Sequence, residues 1–292
     1  MAHIIELSSV LQSVAQRLIR ISTLGAGPTI ALIVLVCITL ATVLATWLAP
    51  HDPLLMDPLV RLKGSISGHP LGTDNYGRDL LSRVLIGGRL SLAIGIVAAL
   101  VSVLIGLLIG LFAGFFRTVD AIVMRMMDAL MAIPSMLLAI AMVALNGPSF
   151  GSVVAAITIP EIPRVVRLVR AIVLAAREEP YVEAAIALGS SMPKILLRHL
   201  LPNTVAPLIV QGTYILASAI LTEAVLSFLG AGIGTETPTW GNIMAEGRTF
   251  FRIKPELILY PGLMLSLCIL SINLLGDAAR DMLDPRLQKR AG

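Results

Sequence analysis

Long uninterrupted apolar runs constrain this chain more than any other feature of its sequence. One run extends over residues 30–48, and others lie at 90–116, 206–228 and 257–275. A run of about 20 apolar residues is what an α-helix needs to cross the ~30 Å hydrocarbon core of a bilayer. Only 14% of the residues are charged, against about a quarter in a soluble domain, and 57% are hydrophobic. We therefore expect an all-α membrane protein.

The apolar runs predict six transmembrane helices, with the polar residues between 117 and 128 as a short loop. The fourth predicted helix is the weakest, because Glu161, Pro163 and Arg164 interrupt its apolar residues. The predicted division is a cytoplasmic N-terminal segment 1–27, a first transmembrane helix 28–49, an external segment 50–89, a transmembrane domain 90–276 whose third helix covers 129–145, and a cytoplasmic tail 277–292.

Lysine and arginine predict the orientation of the chain. With the N-terminus inside, the cytoplasmic segments carry more of these residues than the external ones, as the positive-inside rule requires. Both termini are therefore expected in the cytoplasm. The first run is longer than the about 7–15 apolar residues of a signal peptide, so we expect an uncleaved helix. The net charge of +4 reflects the same membrane bias and does not indicate a nucleic-acid partner.

The sequence contains no recognisable catalytic constellation. It has neither the G-x-x-x-x-G-K-[ST] phosphate loop nor the H-E-x-x-H zinc motif, and its four histidines are scattered. Cys37 and Cys268 lie far apart inside apolar runs, which does not fit a disulfide framework or a metal site. We therefore predict a chain that is not an enzyme and holds no cofactor or metal. Energy for any transport has to come from a partner or from an ion gradient.

Small residues recur every four positions along the second predicted helix. They are Ala98, Ser102, Gly106, Gly110 and Gly114. Such a stripe lets another helix approach closely inside a membrane, so we predict a helix-packing face.

The segment from about 177 to 202 predicts a helix-turn-helix elbow on the cytoplasmic face. Gly189 is a natural stop for a first helix, and Ser190 or Ser191 suits the cap of a second one. Pro202 is expected to end the second helix just before the membrane. A plain amphipathic helix at the membrane interface is the alternative.

This elbow resembles the EAA motif, E-A-A-x3-G-x9-I-x-L-P, of ATP-binding cassette (ABC) importer permeases. The residues that match are Glu183, Ala184, Ala185, Gly189, Leu201 and Pro202. His199 replaces the general isoleucine, in a form similar to that of the dipeptide, oligopeptide and nickel permeases. Segments 71–83, 223–241 and 275–286 also resemble the C-type subunit of that subfamily.

The resemblance implies a fold and a set of partners. The implied fold is an N-terminal helix plus the five-helix core of an ABC type I importer, with the elbow as a cytoplasmic coupling helix. The implied partners are a homologous B-type permease, two ATPase subunits that bind ATP and Mg²⁺, and an extracytoplasmic substrate-binding protein at a bacterial inner membrane. The seven elbow residues, with His199 among them, would then contact an ATPase. The implied function is to form half of a path for peptides or related small solutes.

Several residues keep two interpretations at this point. Glu223 is the ionisable residue deepest in a predicted span, so it faces either the transport pathway or only an external vestibule. Arg164, Arg167 and Arg170 either anchor the chain at the membrane or pair with acidic groups of an ATPase, and Trp240 suits a docking loop or an interfacial belt. The alternative function is a secondary transporter or channel subunit, which would show symmetric repeats and polar residues near mid-membrane.

Overall fold

A computed structural model describes residues 25–234 and 236–283, and within these ranges the chain is helical, without β-strands. Most of the predicted N-terminal segment 1–27 and the end of the predicted tail 277–292 lie outside the described residues. The helices are α1 (Ala26–Val43), α2 (Ala45–Leu48), α3 (Leu80–Phe115), α4 (Arg117–Ala132), α5 (Ser135–Asn146), α6 (Phe150–Arg177), α7 (Pro180–Ala187), α8 (Met192–Ile195), α9 (Leu201–Phe228), α10 (Trp240–Gly247) and α11 (Glu256–Leu283), with a π-helical turn at Leu196–Leu200 and 3-10 turns at Pro58–Val60 and Arg248–Phe250.

Four described helical stretches are long and apolar enough to cross a membrane: α1, α3, the continuous Met192–Phe228 and α11. Helices α4 and α5 supply a fifth if they count as one span, although they meet at an angle of 88°. The break falls at Ile133 and Pro134, where proline disfavours a helical conformation of the preceding residue. The chain is thus a multi-helix membrane protein.

Residues 117–128 form part of α4, so the prediction of a loop in this stretch was wrong. Phe116 has an extended backbone that separates α3 from α4, and Asp120 lies in the first turn of the new helix, where a negative charge is favourable. Two of the polar residues that suggested a loop, Asp120 and Asp128, instead pair with α6, as described below.

Helix α6 runs without a break through Pro160 and Pro163, where the sequence suggested an interruption. The side chain of Ser149 caps its first turn by accepting a hydrogen bond from the Ser152 amide. Proline is tolerated inside membrane helices when neighbouring helices stabilise them, and α6 packs along most of α3. This helix carries several charged residues, so length and hydropathy alone do not identify it as a membrane span.

Helix α3 forms the centre of the fold and begins at Leu80, ten residues before the predicted start of its span. Asp79 caps it through a 2.8 Å hydrogen bond from the Ser82 amide. Its 36 residues correspond to a length of about 54 Å. A hydropathy argument missed this beginning because the first turns of α3 contain charged residues. One of them, Arg83, is tolerated there because it is paired and almost completely buried.

The small residues of α3 face a row of valines on α6. A Cβ atom added to Gly110 would lie 2.7 Å from the Cβ of Val169, closer than real side chains approach. The two helices therefore touch backbone to side chain, a contact that only glycine permits here. Gly106 with Val165 and Gly114 with Val173 make the same kind of contact.

Candidate functional site

The elbow between α6 and α9 is built around a left-handed glycine. Gly189 has φ +72°, and its amide donates a 2.9 Å hydrogen bond to the Ile186 carbonyl. The next amide, that of Ser190, donates to the Ala185 carbonyl at 3.0 Å. These two bonds define the Schellman motif, which ends a helix and turns the chain sharply. The local sequence therefore specifies the turn that follows α7.

One face of the elbow is held in the core of the protein. Val182 and Leu200 are fully buried, and Ile195 is 4% exposed. They join an apolar cluster with Val173 and Ala176 near the end of α6. Burial of each such side chain contributes about 1.5–3 kcal/mol, so the elbow is attached firmly to α6.

The opposite face of the elbow exposes large apolar side chains. Leu188 is 86% exposed at the tip of the turn and Leu197 is 62% exposed, with Tyr181 and Ile186 nearly half exposed. The exposed, charged side chain of Glu183 borders them, and Ala184 beside it has only a short side chain. We call Tyr181, Ile186, Leu188 and Leu197 the elbow patch. An apolar patch with a polar border is typical of a surface that binds a protein.

The remaining predicted elbow residues lie at the base of this patch. Ala185 is buried, and the half-buried His199 lies with its ring 6.2 Å from that of Tyr181. Asn203 connects the two by donating to the Tyr181 hydroxyl at 3.0 Å and to the His199 carbonyl at 2.6 Å. The chain then continues without a break, with Leu201 and Pro202 opening the first turn of α9.

Pro202 therefore does not end the second helix of the elbow, and that prediction was wrong. Proline fits the first turn of a helix, where its missing amide hydrogen is not needed. The π-helical turn Leu196–Leu200 connects α8 to α9 at this position, so the second half of the elbow is the beginning of a membrane helix. A displacement of the elbow would act directly on α9.

Three arginines that precede the elbow are paired within the chain. Arg170 makes a bidentate contact with Asp120 of α4, and Arg167 donates to Asp128 at 2.6 Å. Arg164 lies 3.3 Å from Glu161 on its own helix. The pairs of Arg170 and Arg167 connect α4 to α6, which neither interpretation of the arginines from sequence included. No sequence signal identifies Asp120 and Asp128 as partners, because they lie in a different helix.

Glu223 lies in the interior of the chain and has no exposed surface. Its carboxylate accepts hydrogen bonds from Ser91 of α3 at 3.0 Å and from Ser227 at 2.8 Å. Ser91 also accepts a bond from the Trp240 amide, so the group joins α3, α9 and α10. A pathway role of Glu223 stays a prediction, and in this structure the residue connects helices.

Glu161 is a buried acidic residue that sequence reasoning treated only as an interruption. It is 8% exposed near the middle of α6, and Ser218 of α9 lies 3.4 Å from its carboxylate. A charged group at such a depth is a candidate for contact with solute or for a helix connection. The signal available in the sequence was its position within an otherwise apolar stretch.

The far end of α3 carries a second dense set of polar contacts. Asp74 accepts from Arg78 at 2.6 Å and also pairs with Arg83, and Glu246 of α10 pairs with both arginines. All four except Glu246 are buried. Removing one partner of such a buried network typically costs about 3–5 kcal/mol, because the other charge is left unpaired. The network holds segment 71–83 against segment 230–252.

Trp240 also belongs to this packing, which does not fit an interfacial belt residue, one of the two interpretations that the sequence left open. Its side chain is fully buried, and its indole nitrogen donates to the Val84 carbonyl at 3.0 Å. Gly88 makes room for the ring, since a Cβ there would lie 2.6 Å from it. The two sequence segments thus form one structural unit at the opposite end of α3 from the elbow.

Comparison with known proteins identifies similar chains over most of this length. The family described as "binding-protein-dependent transport system inner membrane component" matches residues 102–289. A probable peptide ABC transporter permease of Sinorhizobium fredii is 52% identical over 247 residues, which cover 85% of each chain. The dipeptide transport system permease protein DppC of Escherichia coli is 42% identical over 270 residues, or 90% of each chain.

A solved structure shares the fold at low sequence identity. It is a chain of the inward-facing MetNI methionine ABC transporter, which superimposes with a TM-score of 0.53 at 21% identity. The match covers 69% of the present chain and 96% of the other. At this identity the likeness shows the arrangement of helices alone.

Proposed function

We propose, because this chain belongs to the family of binding-protein-dependent transport system inner membrane components, that it forms half of the translocation path of an ABC importer for peptides or related small solutes. The relatives from S. fredii and E. coli are named for peptide and dipeptide transport, which supports this solute class. The same relatives support an ABC permease over the alternative of a secondary transporter or channel subunit.

The elbow patch is the observation that carries the coupling part of this proposal. It combines a firmly attached base with exposed apolar side chains at the tip, up to 86% exposed at Leu188. This is the arrangement expected of a coupling helix that inserts into a groove of an ATPase subunit. Because the elbow leads without interruption into α9, movement of the ATPase would be transmitted to a membrane helix. ATP and Mg²⁺ would be bound by the ATPase subunits.

The proposed complex contains two permeases and two ATPases. One elbow serves one ATPase, so a second permease of the B type completes the assembly, and an extracytoplasmic binding protein delivers the solute. Six spans are proposed: α1, α3, the bent pair α4–α5, α6, α9 and α11. Helix α1 is the additional N-terminal span, and the other five form the core.

Co-purification tests this assembly. When the tagged chain is expressed with its neighbouring genes and extracted in mild detergent, we expect two ATPase subunits and one homologous permease per chain. Leu188→Glu should reduce ATPase recovery at least about tenfold, because it places a charge in a buried apolar contact. Exposed Leu59, 87% exposed at the other end of the protein, offers the matched control Leu59→Glu. Recovery of the parent chain without ATPases would contradict the proposal.

The proposed orientation places both termini and the elbow in the cytoplasm. The elbow and segment 50–79 lie at opposite ends of α3, which is about 54 Å long, so a bilayer fits between them. In intact cells, a membrane-impermeant maleimide should label Ser65→Cys and leave Ser191→Cys unlabelled, in a background without Cys37 and Cys268. Both serines are exposed, so access to the reagent decides the result. Labelling of Ser191→Cys from outside would reverse the proposed topology.

A further inference from the structure

Two histidines and an aspartate meet beside the start of α3. His51 follows α2, His69 ends a tight turn, and Asp79 caps α3, so three separate parts of the chain contribute. One potential ligand atom from each lies within 4.8 Å of the others. The imidazole rings of His51 and His69 stack, with their centroids 4.4 Å apart. Sequence spacing did not indicate this cluster, because only the folded loop brings the two histidines together.

Local hydrogen bonds hold the three side chains in place. Asp79 uses one carboxylate oxygen, Oδ2, to accept from the amide and the hydroxyl of Ser82 at 2.8 and 2.6 Å. The Ser82 hydroxyl in turn accepts from the His51 amide at 3.1 Å, which connects the backbone of His51 to Asp79. The turn at Ile66–His69 has Gly68 at φ +88° and is closed by hydrogen bonds in both directions. The cluster is therefore preorganised.

The ligand atoms of His69 and Asp79 have a separation that suits a metal ion. His69 Nδ1 is hydrogen-bonded to Asp79 Oδ1, the oxygen that Ser82 leaves free, at 2.9 Å, so a bound ion would take the place of the shared proton. Two neighbouring ligands at about 2.0–2.1 Å from one ion lie about 2.9–3.4 Å apart, so this pair already has the required distance. The third ligand atom, from His51, lies within 4.8 Å of these two and has to come closer to complete a three-ligand set.

His51 supplies an independent reason to expect a ligand here. Its Nδ1 atom is buried and finds no hydrogen-bond partner within the described part of the chain. An unsatisfied buried polar atom costs about 1–3 kcal/mol, so native proteins rarely leave one without a partner. The side chain of His69 is 15% exposed, which gives an ion access from the aqueous side.

We propose that His51, His69 and Asp79 bind a divalent transition-metal ion of the Zn²⁺ class at the end of α3 opposite the elbow. Two neutral imidazoles and one carboxylate are suitable ligands for such an ion, and a water molecule would complete a tetrahedral set. The bound ion would crosslink the segment after α2, the turn at Gly68 and the cap of α3. The inference concerns this cluster alone and does not depend on the transported solute.

Zinc binding to the purified full-length chain tests the proposal. The protein carries an affinity tag without histidine, is treated with a chelator, and is titrated with Zn²⁺ alone in a calorimeter. We expect one Zn²⁺ per chain and an increase in the thermal midpoint on addition of Zn²⁺. Co²⁺ in place of Zn²⁺ should give d–d absorption bands that depend on the same residues.

Three phenylalanine variants make the measurement specific. His51→Phe keeps a stacked ring but removes the nitrogen, and it should weaken Zn²⁺ binding at least about tenfold, the effect that even an outer-shell change can have. His199→Phe, in the elbow, should bind Zn²⁺ like the parent. His69→Phe provides a second ligand variant if His51→Phe does not fold. A parent chain that binds no stoichiometric Zn²⁺, or ligand variants that retain the parent affinity, would overturn the site.

Discussion

Replacing Gly110 with leucine is expected to prevent the chain from accumulating as folded protein. Even the first added carbon would lie 2.7 Å from the Cβ of Val169, in the middle of the contact between α3 and α6. Adding a single methyl group to such a tight contact typically costs about 1–3 kcal/mol, and leucine adds three more carbons. We expect a loss of most of the monodisperse protein in size-exclusion chromatography of detergent extracts, and loss of the associated permease and ATPases.

A milder pair of variants separates steric overlap from a general effect of replacing glycine. Gly110→Ala should lower the thermal midpoint, whereas Gly212→Ala in α9 should leave it unchanged or raise it. A Cβ at Gly212 would meet only Val103, at an ordinary distance of 3.7 Å. Alanine is otherwise a better helix former than glycine by about 0.5–1 kcal/mol. The two substitutions should therefore differ in their effect on the thermal midpoint, which only Gly110→Ala should lower. Equal behaviour of the two variants would show that the glycine row is not a packing face.

Gly189→Val should uncouple transport from ATP hydrolysis while the complex still assembles. The glycine has φ +72°, a conformation that is strained for a β-branched residue by about 1–3 kcal/mol. A Cβ at this position meets no other atom within 4 Å, so the defect would come from the backbone turn and not from a steric clash. We expect strongly reduced uptake into proteoliposomes and an ATPase rate that no longer responds to loaded binding protein. Glu183→Lys, on the exposed side of α7, should have the same effect by reversing a charge beside the elbow patch.

Two controls distinguish a displaced elbow from general strain. Gly189→Asn should retain most transport, because asparagine adopts the left-handed conformation more readily than other residues. Gly147→Val introduces the same backbone strain at φ +80° after α5, also in open space, but outside the elbow. It should lower stability without affecting the ATPase response. Normal transport by both Gly189→Val and Glu183→Lys in assembled complexes would exclude the elbow as the coupling element.

The charged residues explain why hydropathy gave imperfect helix boundaries. Charged residues up to Arg89, with Arg83 among them, moved the predicted start of α3 to residue 90, and the charges between 117 and 128 suggested a loop where the structure has α4. Several of these charges are paired with a residue from another segment, as Arg83 is with Glu246 and Asp120 is with Arg170. A pairing of this kind lowers the cost of placing a charge in a helix near the membrane, and a window of consecutive residues does not detect it.

Local features of the sequence determined the parts of the protein that depend on neighbouring residues. Apolar runs of sufficient length specify membrane helices because the backbone has to satisfy its own hydrogen bonds in lipid. The sequence likewise predicted that the first helix of the elbow ends at Gly189, because a Schellman turn forms among residues only a few positions apart. The row of glycines identified one face of α3 for the same reason, since a helix repeats every 3.6 residues.

Only the tertiary structure decided which of these elements meet. The valines that face the glycine row, the carboxylates that pair with the arginines of α6, and the buried position of Trp240 all depend on contacts between segments distant in sequence. The same is true of His51, His69 and Asp79, which become neighbours through the fold of one loop. The spacing of residues along a helix fixes the direction in which each side chain points. Which partner that side chain contacts depends on the packing of the whole chain, because many partners are compatible with the same local pattern.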